Sequence, residues 1–219
     1  MRKSVYIESS IIGYLTARPS RDLVKAARQA ITNDWWNVWR SDFDVFVSQS
    51  VLNEISQGDA VAAEKRLAAV SGIKILSTNL LAEQLALDLI KHGLVPRGSA
   101  EDALHIAVAA ANGITFLLTW NFRHINNAAT KGRIAKFIES RGYVSPMLCS
   151  PDELGARIMN DEIVDEMRAY RTAHAEKYGF DIAKICAALR EQEQHSATEV
   201  VSRQPQLLKD VIEFQDASV

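Results

Sequence analysis

Four polar residues stand where apolar segments of this chain end or begin, and together they suggest metal chemistry. They are Glu8, Glu54, Asp102 and Asn121, and three of them carry a carboxylate. A charge beside a core segment costs free energy unless it is paired or holds a metal ion. If the fold brings these side chains to one edge of a sheet, their oxygens form a pocket suited to Mg²⁺ or Mn²⁺.

Each of these residues also has a structural alternative. Glu8 could cap the helix that follows it, where a carboxylate is favoured by the helix dipole. Asp102 follows Ser99 by three positions, as in a capping box. Glu54 could lie on a solvent-exposed turn, and Asn121 could form an Asx-type turn after a strand. The residue types alone leave metal binding and these local roles open.

The elements that must position these residues alternate between strands and helices. Short apolar runs predict strands at residues 4–7, 44–48, 73–76, 114–118 and 147–149. Apolar positions with helical period predict helices at about residues 9–16, 22–40, 50–57, 59–70, 79–92, 102–112 and 131–140. This alternation predicts an α/β fold with a parallel sheet of about four to five strands flanked by helices. Sites in such sheets form at the carboxyl ends of strands, where Glu8 and Asn121 lie.

A run of basic residues follows the first helix. Arg18, Arg21, Lys25 and Arg28 recur at helical spacing, and Trp35, Trp36 and Trp39 come after them. Beside an acidic metal pocket, a basic face suits the phosphates of a nucleic-acid strand. The alternative is an amphipathic helix with its basic side in water and its tryptophans in a core or a dimer contact.

Composition limits the remaining classes. The chain has 47% hydrophobic residues but no apolar run of about 18, so we expect no membrane span. Cys149 and Cys186 lack metal-ligand spacing, and with no signal-peptide pattern we expect a cytoplasmic protein with reduced thiols. No GxSxG or GxxxxGK motif occurs, which argues against a serine triad or a phosphate loop. His105, one helical turn after Asp102, could approach the pocket, but we expect a core histidine bonded to a carbonyl.

The last third of the chain differs from the rest. Residues 1–158 carry 18 Lys and Arg against 15 Asp and Glu, whereas residues 159–219 carry 7 against 12. We predict a domain over residues 1–155, a helical hairpin over 159–195 as a C-terminal α-helical extension, and a polar tail over 196–219. The apolar sides of the hairpin are expected to include Tyr170 and Ile182. This acidic segment could lie on a surface meant for another anion, or it could be a solvated helix pair.

The four segments, in order, resemble the PIN domain of VapC-type toxin ribonucleases over about residues 4–150. The segments on which this resemblance rests are YIESSIIGYL, VSQSVLNEIS, SAEDALHIAVAAANG and FLLTWNFRHI. The resemblance implies a PIN-like sheet and a site of Glu8, Asp102, Glu54 (directly or through water) and Asn121. The sequence departs from the usual pattern at two positions, since Glu8 and Asn121 stand where Asp is usual.

The resemblance further implies a function. We expect a metal-dependent endoribonuclease of toxin–antitoxin type, with Mg²⁺ or Mn²⁺ as cofactor, RNA as substrate and a homodimeric body. An antitoxin partner, or the chain's own C-terminal segment acting in cis, would restrain it. The alternative is a non-catalytic PIN-fold module that binds RNA or protein through a degraded metal site, because Asn121 brings no charge.

Overall fold

The structure is a computed structural model that describes residues 2–155 and 162–195. It divides into two compact units, Met1–Ile158 and Met159–Val219. Among the described helices, none has the length and apolar character needed to cross a bilayer.

The first unit is built on a five-stranded parallel sheet. Its strands are β1 (Lys3–Ile7), β2 (Phe43–Ser48), β3 (Lys74–Leu76), β4 (Phe116–Leu118) and β5 (Met147–Cys149). Their spatial order is β3-β2-β1-β4-β5, and every pairing is parallel. The predicted α/β class, with a parallel sheet flanked by helices, is confirmed.

Eight α-helices accompany the sheet within residues 2–155. They are α1 (Ser9–Thr16), α2 (Leu23–Asp34), α3 (Gln49–Ile55), α4 (Ala60–Ala69), α5 (Leu80–Lys91), α6 (Ala100–Ala111), α7 (Lys131–Ser140) and α8 (Pro151–Gly155). The long helix predicted over residues 22–40 is shorter than expected. It changes to a π-helical turn at Trp35–Trp39 and a 3-10 turn at Arg40–Asp42, and α8 was not predicted.

The core lies around the two central strands. Val5, Tyr6 and Ile7 of β1 are fully buried, as are Leu117 and Leu118 of β4. Strands of a parallel sheet read as continuous apolar runs because helices cover both faces. Trp35 is buried in this core and stacks on Phe43 with ring centroids 6.0 Å apart, so it takes the core position that was one of its predicted alternatives.

The sheet order creates a crevice beside the end of β1. The chain leaves β1 towards β2 on one side, whereas β4 pairs on the other side of β1. The carboxyl ends of β1 and β4 are therefore the topological switch point, where ligands bind in open α/β sheets. The backbone N–H of Glu8 donates to the carbonyl of Leu118 over 3.0 Å, which fixes these two ends together.

The second unit contains the helices α9 (Glu162–Lys177) and α10 (Ile182–Gln194) in its described part. Gly179 and Phe180 have positive φ, 61° and 57°, and separate the two helices. Tyr170 is 65% exposed and Ile182 is 72% exposed, whereas Ile185 and Cys186 of α10 are half-buried. The expected inward position is therefore wrong for Ile182. The predicted polar tail over residues 196–219 lies outside the described residues, and the three-part division of the chain stays a prediction.

Candidate metal centre

Glu8 lies at the switch point as the first residue after β1. It caps α1, because its Oε1 accepts the backbone N–H of Ser10 over 3.1 Å. The local role proposed for Glu8 is thus present, but it occupies only part of the carboxylate. Three hydroxyls also donate to it: Ser9 to Oε1 over 2.7 Å, Thr119 to Oε2 over 2.7 Å, and Ser10 to Oε2.

These hydroxyl donors decide whether Glu8 can accept a cation. With four donors, the lone pairs of the 5% exposed carboxylate are all used. Three of the four donors are hydroxyls, which can rotate and offer their own oxygens instead. The surroundings of Glu8 therefore fit a divalent ion after hydroxyl rotation. The hydroxyls of Ser9, Ser10 and Thr119 hold the carboxylate in place.

Glu54 projects from α3, which begins where β2 ends. Its Oε1 accepts from His105 Nε2 over 2.9 Å, and among the described residues its Oε2 has no hydrogen-bond partner. His105 is 1% exposed, and its Nδ1 meets the hydroxyl of Tyr6 over 2.7 Å. The Tyr6 hydroxyl also meets Ser48 Oγ over 2.7 Å. The expectation that His105 bonds a carbonyl was wrong, since both its nitrogens bond side chains.

This chain of buried hydrogen bonds orients Glu54. When Glu54 is ionised, it accepts the N–H at Nε2, so neutral His105 uses its Nδ1 lone pair to accept the Tyr6 O–H. Tyr6 in turn accepts from the Ser48 hydroxyl. Every buried polar group in the series is satisfied, and the series runs from β2 and β1 through α6 to the carboxylate. Oε2 of Glu54 thus stays in a fixed position for a ligand.

The charges of this pair depend on each other. Burial alone would raise the pKa of Glu54, but the hydrogen bond and charge of His105 outweigh it and lower this pKa. Burial alone would lower the pKa of His105, but the Glu54 hydrogen bond and the charges of Glu8, Glu54 and Asp102 raise it. The charge of Asp102 therefore reaches His105, which is one helical turn further along α6.

We expect the contribution of His105 to the free energy of unfolding to be greatest between pH 4.5 and pH 6.5. These limits are the ordinary pKa values of a glutamate, for Glu54, and of a histidine, for His105. The contribution should fall as pH rises through the raised pKa of His105, and fall as pH drops through the lowered pKa of Glu54. The test is the free energy of unfolding of the wild type minus that of His105→Gln, measured in EDTA from pH 3 to 9. His92→Gln, whose ring bonds only a backbone carbonyl among the described residues, is the control. A pH-independent difference would contradict the pairing.

Glu8, Glu54 and His105 form the tightest group of potential ligands in the described part of the chain. One ligand atom from each lies within 4.8 Å of the others. Carboxylate oxygens suit Mg²⁺ and Mn²⁺. Both nitrogens of His105 are hydrogen-bonded to side chains, so its role beside them is to orient Glu54. Two of the predicted site residues therefore meet here, together with a histidine that was not predicted to bind metal.

Asp102 belongs to an adjacent cluster with Asn121 and His124. Its Oδ1 accepts from Asn121 Nδ2 and its Oδ2 from His124 Nδ1, both over 2.8 Å. The capping box predicted from Ser99 does not form, because the Ser99 hydroxyl bonds His124 Nδ1 over 2.9 Å instead of the helix end. Ser99 and Asp102 use the same nitrogen of His124, so the three do not form a Ser-His-Asp relay.

The Asx-type turn predicted at Asn121 does not form in its usual i to i+2 pattern, because the side-chain oxygen bonds the backbone three residues on. Its Oδ1 accepts the backbone N–H of His124 over 3.1 Å, while its Nδ2 donates to Asp102. The oxygen predicted to ligate metal is therefore already used by the turn that follows β4. Direct ligation by Asn121 stays a prediction. Its observed contribution is to hold Asp102.

Asn121→Asp is expected to lower apo stability and to enlarge the stabilisation by Mn²⁺. The substitution replaces a donor 2.8 Å from Asp102 with a like charge, which a bound cation then neutralises. The test is Tm in EDTA and across a Mn²⁺ titration, with Asn121→Ala as the variant that loses the bond without adding charge. A Mn²⁺-dependent Tm shift equal to that of the wild type would mean that position 121 does not face the ion.

The basic residues are arranged differently from the prediction. Because α1 ends at Thr16 and α2 begins at Leu23, Arg18 and Arg21 lie in the connecting loop and do not share a helical face with Lys25. These three are exposed. Arg28 is half-buried, and its guanidinium lies 5.3–5.9 Å from three aromatic rings. Three of the four candidates are thus free to meet phosphate, and Arg28 packs among aromatic rings.

Comparison with known proteins adds little. No protein-family model matches this chain, and no curated protein is significantly similar to it. A similar solved structure is the crystal structure of VapBC2 from Rickettsia felis bound to a DNA fragment from their promoter. It is 15% identical, covers 67% of this chain and 97% of the matched chain, and has a TM-score of 0.39. This neighbour is a toxin–antitoxin complex, and at that score it supports no argument about this chain.

Proposed function

We propose that this chain is a divalent-metal-dependent endoribonuclease of the PIN, VapC-like type. The observation that supports this most is the meeting of Glu8 and Glu54 at the switch point of the sheet, with ligand atoms within 4.8 Å of one another and of His105. Asp102 lies outside that group of ligand atoms, in the adjacent cluster with Asn121 and His124, and we assign it to the same centre. An acidic centre with exposed Arg18, Arg21 and Lys25 nearby in the chain suits a phosphodiester substrate.

We assign two kinds of role to the residues of this site, metal binding and the positioning of the metal ligands. Glu8, Glu54 and Asp102 hold one or two Mg²⁺ or Mn²⁺ ions, with Glu54 acting directly or through water. When bound, such ions activate water and stabilise charge on a phosphate. Ser10 and Thr119 fix Glu8, His105 fixes Glu54, and Asn121 and His124 fix Asp102. No side chain needs to form a covalent intermediate.

The experiment is a single-turnover cleavage assay on RNA with Mg²⁺, Mn²⁺ or EDTA, carried out in ¹⁸O-water. Hydrolysis by water predicts cleavage that requires the metal and leaves one solvent ¹⁸O in the product phosphate. A 2′,3′-cyclic phosphate product would indicate attack by the RNA's own 2′-hydroxyl and would contradict the proposal. Metal-independent cleavage would contradict it as well.

The alternative is a PIN-fold module that binds RNA or protein without cleaving it. Two observations favour it: all lone pairs of Glu8 are used by protein donors, and both polar atoms of the Asn121 side chain are hydrogen-bonded, Oδ1 to the backbone N–H of His124 and Nδ2 to Asp102. Metal uptake separates the two proposals. A nuclease site takes up Mn²⁺, whereas a degraded site remains without it.

We also propose that residues 159–219 restrain the site in cis, in place of or in addition to an antitoxin partner. The support is charge, since the segment is acidic and the preceding residues are basic. Arg171 and Arg190 are exposed on α9 and α10, and either one could enter a carboxylate site. Arg168 is a third candidate, and its side chain lies outside the described residues. The alternative to inhibition is that this segment stabilises residues 1–158 or a homodimer of the chain.

Truncation after Ile158 is expected to raise the rate of RNA cleavage by about tenfold or more, as for a typical coupling free energy between sites. Adding residues 159–219 back in trans should lower the rate again. The measurement is single-turnover cleavage by the truncated and full chains, with circular dichroism to verify folding. A folded, truncated protein that cleaves at the full-length rate would show that the segment does not inhibit. Sedimentation of both forms tests the proposed homodimer.

A further inference from the structure

A groove beside the carboxylate site has no role in holding the metal. It has a volume of about 450 Å³ and is formed by α1, α2 and the loop between them. Its lining includes Ser10, Gly13, Tyr14, Arg18 and Lys25. Ser10 is also a donor to Glu8, so the groove begins at the candidate centre and extends away from it.

Gly13 has no structural requirement for glycine. It lies inside α1, its φ is not positive, and a Cβ added there meets no described atom within 4 Å. Glycine inside a helix destabilises it relative to alanine. Glycine at position 13 keeps the groove open, because it has no side chain to fill it. The loss of helix stability that glycine causes is explained if a ligand occupies this space.

Tyr14 is an aromatic residue of the groove lining, and it belongs to a cluster of rings around Arg28. Tyr14 lines the groove and accepts a hydrogen bond from Arg28 Nη1 over 3.2 Å. The Arg28 guanidinium also lies 5.3 Å from the ring centroids of both Trp120 and Phe122. Phe122 is 40% exposed and directly follows Asn121 in the chain. Tyr14 is therefore the aromatic side chain that the groove offers to a base.

The lining of the groove also carries positive charge. Arg18 and Lys25 line it, and neither forms a salt bridge with any carboxylate in residues 2–155 or 162–195. The one acid close to them in sequence, Asp22, accepts the backbone N–H of Lys25 as the cap of α2. A ligand with an apolar, stackable part and an anionic part matches this combination of surfaces.

We propose that this groove binds one unpaired nucleotide of the RNA strand, next to the phosphate that is cleaved. The base lies over Gly13 against Tyr14, and its phosphate meets Arg18 and Lys25. A base inside a duplex is stacked and paired, so it cannot enter, and the groove selects single-stranded RNA. The identity of the ligand as RNA rests on the proposed function.

The test is Gly13→Leu in the full chain, which fills the groove without touching any carboxylate. Gly132→Leu on α7 is the matched control, because an added Cβ there also meets no described atom within 4 Å. The probe is a fluorescent single-stranded RNA of about eight nucleotides, within the usual site sizes for single strands, and the same sequence as a duplex. Binding is measured in EDTA by fluorescence anisotropy, so the readout does not depend on cleavage.

We expect the wild type and Gly132→Leu to bind the single strand about tenfold or more tightly than the duplex, and Gly13→Leu to lose about tenfold in affinity. Lys25→Gln is a second variant that leaves the helix intact, and it should reduce the slope of log K against log salt by about 0.7. Equal binding by Gly13→Leu and wild type, equal binding of duplex and single strand, or no RNA binding at all would each overturn the groove assignment.

The two proposals fail separately. If the single strand binds, Gly13→Leu weakens it and no metal-dependent cleavage occurs, the groove assignment stands and the nuclease proposal falls. If metal-dependent cleavage occurs and Gly13→Leu cleaves with an unchanged KM, the nuclease proposal stands and the groove assignment falls.

Discussion

Asp102→Asn is expected to lower RNA cleavage by about 10³-fold while the protein keeps its fold. The carboxylate is the common acceptor of Asn121 and His124, and its charge is felt at His105. An amide of the same shape retains an acceptor for Asn121, and His124 can change tautomer to suit the new donor. The substitution therefore removes the charge from the centre, where electrostatic contributions of about 10²–10³-fold per group are typical.

The measurement is the single-turnover cleavage rate of the full chain at saturating Mn²⁺. Glu101→Gln is the matched control, since it removes the neighbouring carboxylate, whose Oε2 accepts from the Ser50 hydroxyl over 2.9 Å. Asp102→Ala should also abolish cleavage, although it leaves Asn121 Nδ2 without its acceptor. A folded Asp102→Asn protein that cleaves at the wild-type rate would remove Asp102 from the site.

Glu8→Ala is expected to lower the free energy of unfolding by about 2–4 kcal/mol and to abolish cleavage. The loss combines the helix cap of α1, worth about 1 kcal/mol, with buried donors left unsatisfied at about 1–3 kcal/mol. The donors affected are the backbone N–H of Ser10 and the hydroxyl of the fully buried Thr119.

Glu8→Gln separates the two effects. The amide oxygen still accepts two hydrogen bonds, so this variant should be more stable than Glu8→Ala and still inactive because the charge is gone. Urea unfolding in EDTA and the cleavage assay measure the two quantities independently. Wild-type stability of Glu8→Ala would mean that the donors around Glu8 find other acceptors, and wild-type activity of Glu8→Gln would mean that the charge is not used.

The sequence predicted the fold well because its signals are local. The helix predicted from Ser9 to Thr16 has these bounds in the structure, as do the helix Lys131–Ser140 and the strand Met147–Cys149. Each follows from the period of apolar residues or from caps within a few positions. The parallel sheet followed from the alternation of elements, and it placed Glu8 and Asn121 at strand ends.

The contacts within the site could not be predicted in the same way, because they join residues far apart in sequence. His124 showed no ligand spacing, yet it bonds Asp102 from 22 positions away. His105 was assigned a carbonyl partner, but Tyr6 and Glu54 lie 99 and 51 positions from it. The period of the apolar residues around His105 predicts its burial, and a buried imidazole needs two partners that only the tertiary fold identifies.

The basic residues show how a local signal can mislead. Arg18, Arg21, Lys25 and Arg28 have helical spacing, but the cap formed by Asp22 starts a new helix between the second and the third of them. Helical spacing carries information only within one helix. Arg28 is then fixed by Tyr14, Trp120 and Phe122, of which the last two come from the loop after β4.

The most direct test of the central claim is Mn²⁺ binding to the full chain, measured by calorimetry and by the loss of the free-ion EPR signal. The account predicts saturable binding by the wild type, and Asp102→Asn and Glu8→Gln should each weaken it by about tenfold or more. Glu101→Gln should bind as the wild type does. Absence of Mn²⁺ binding by the wild type, or equal binding by all four proteins, would contradict a metal centre formed by Glu8, Glu54 and Asp102.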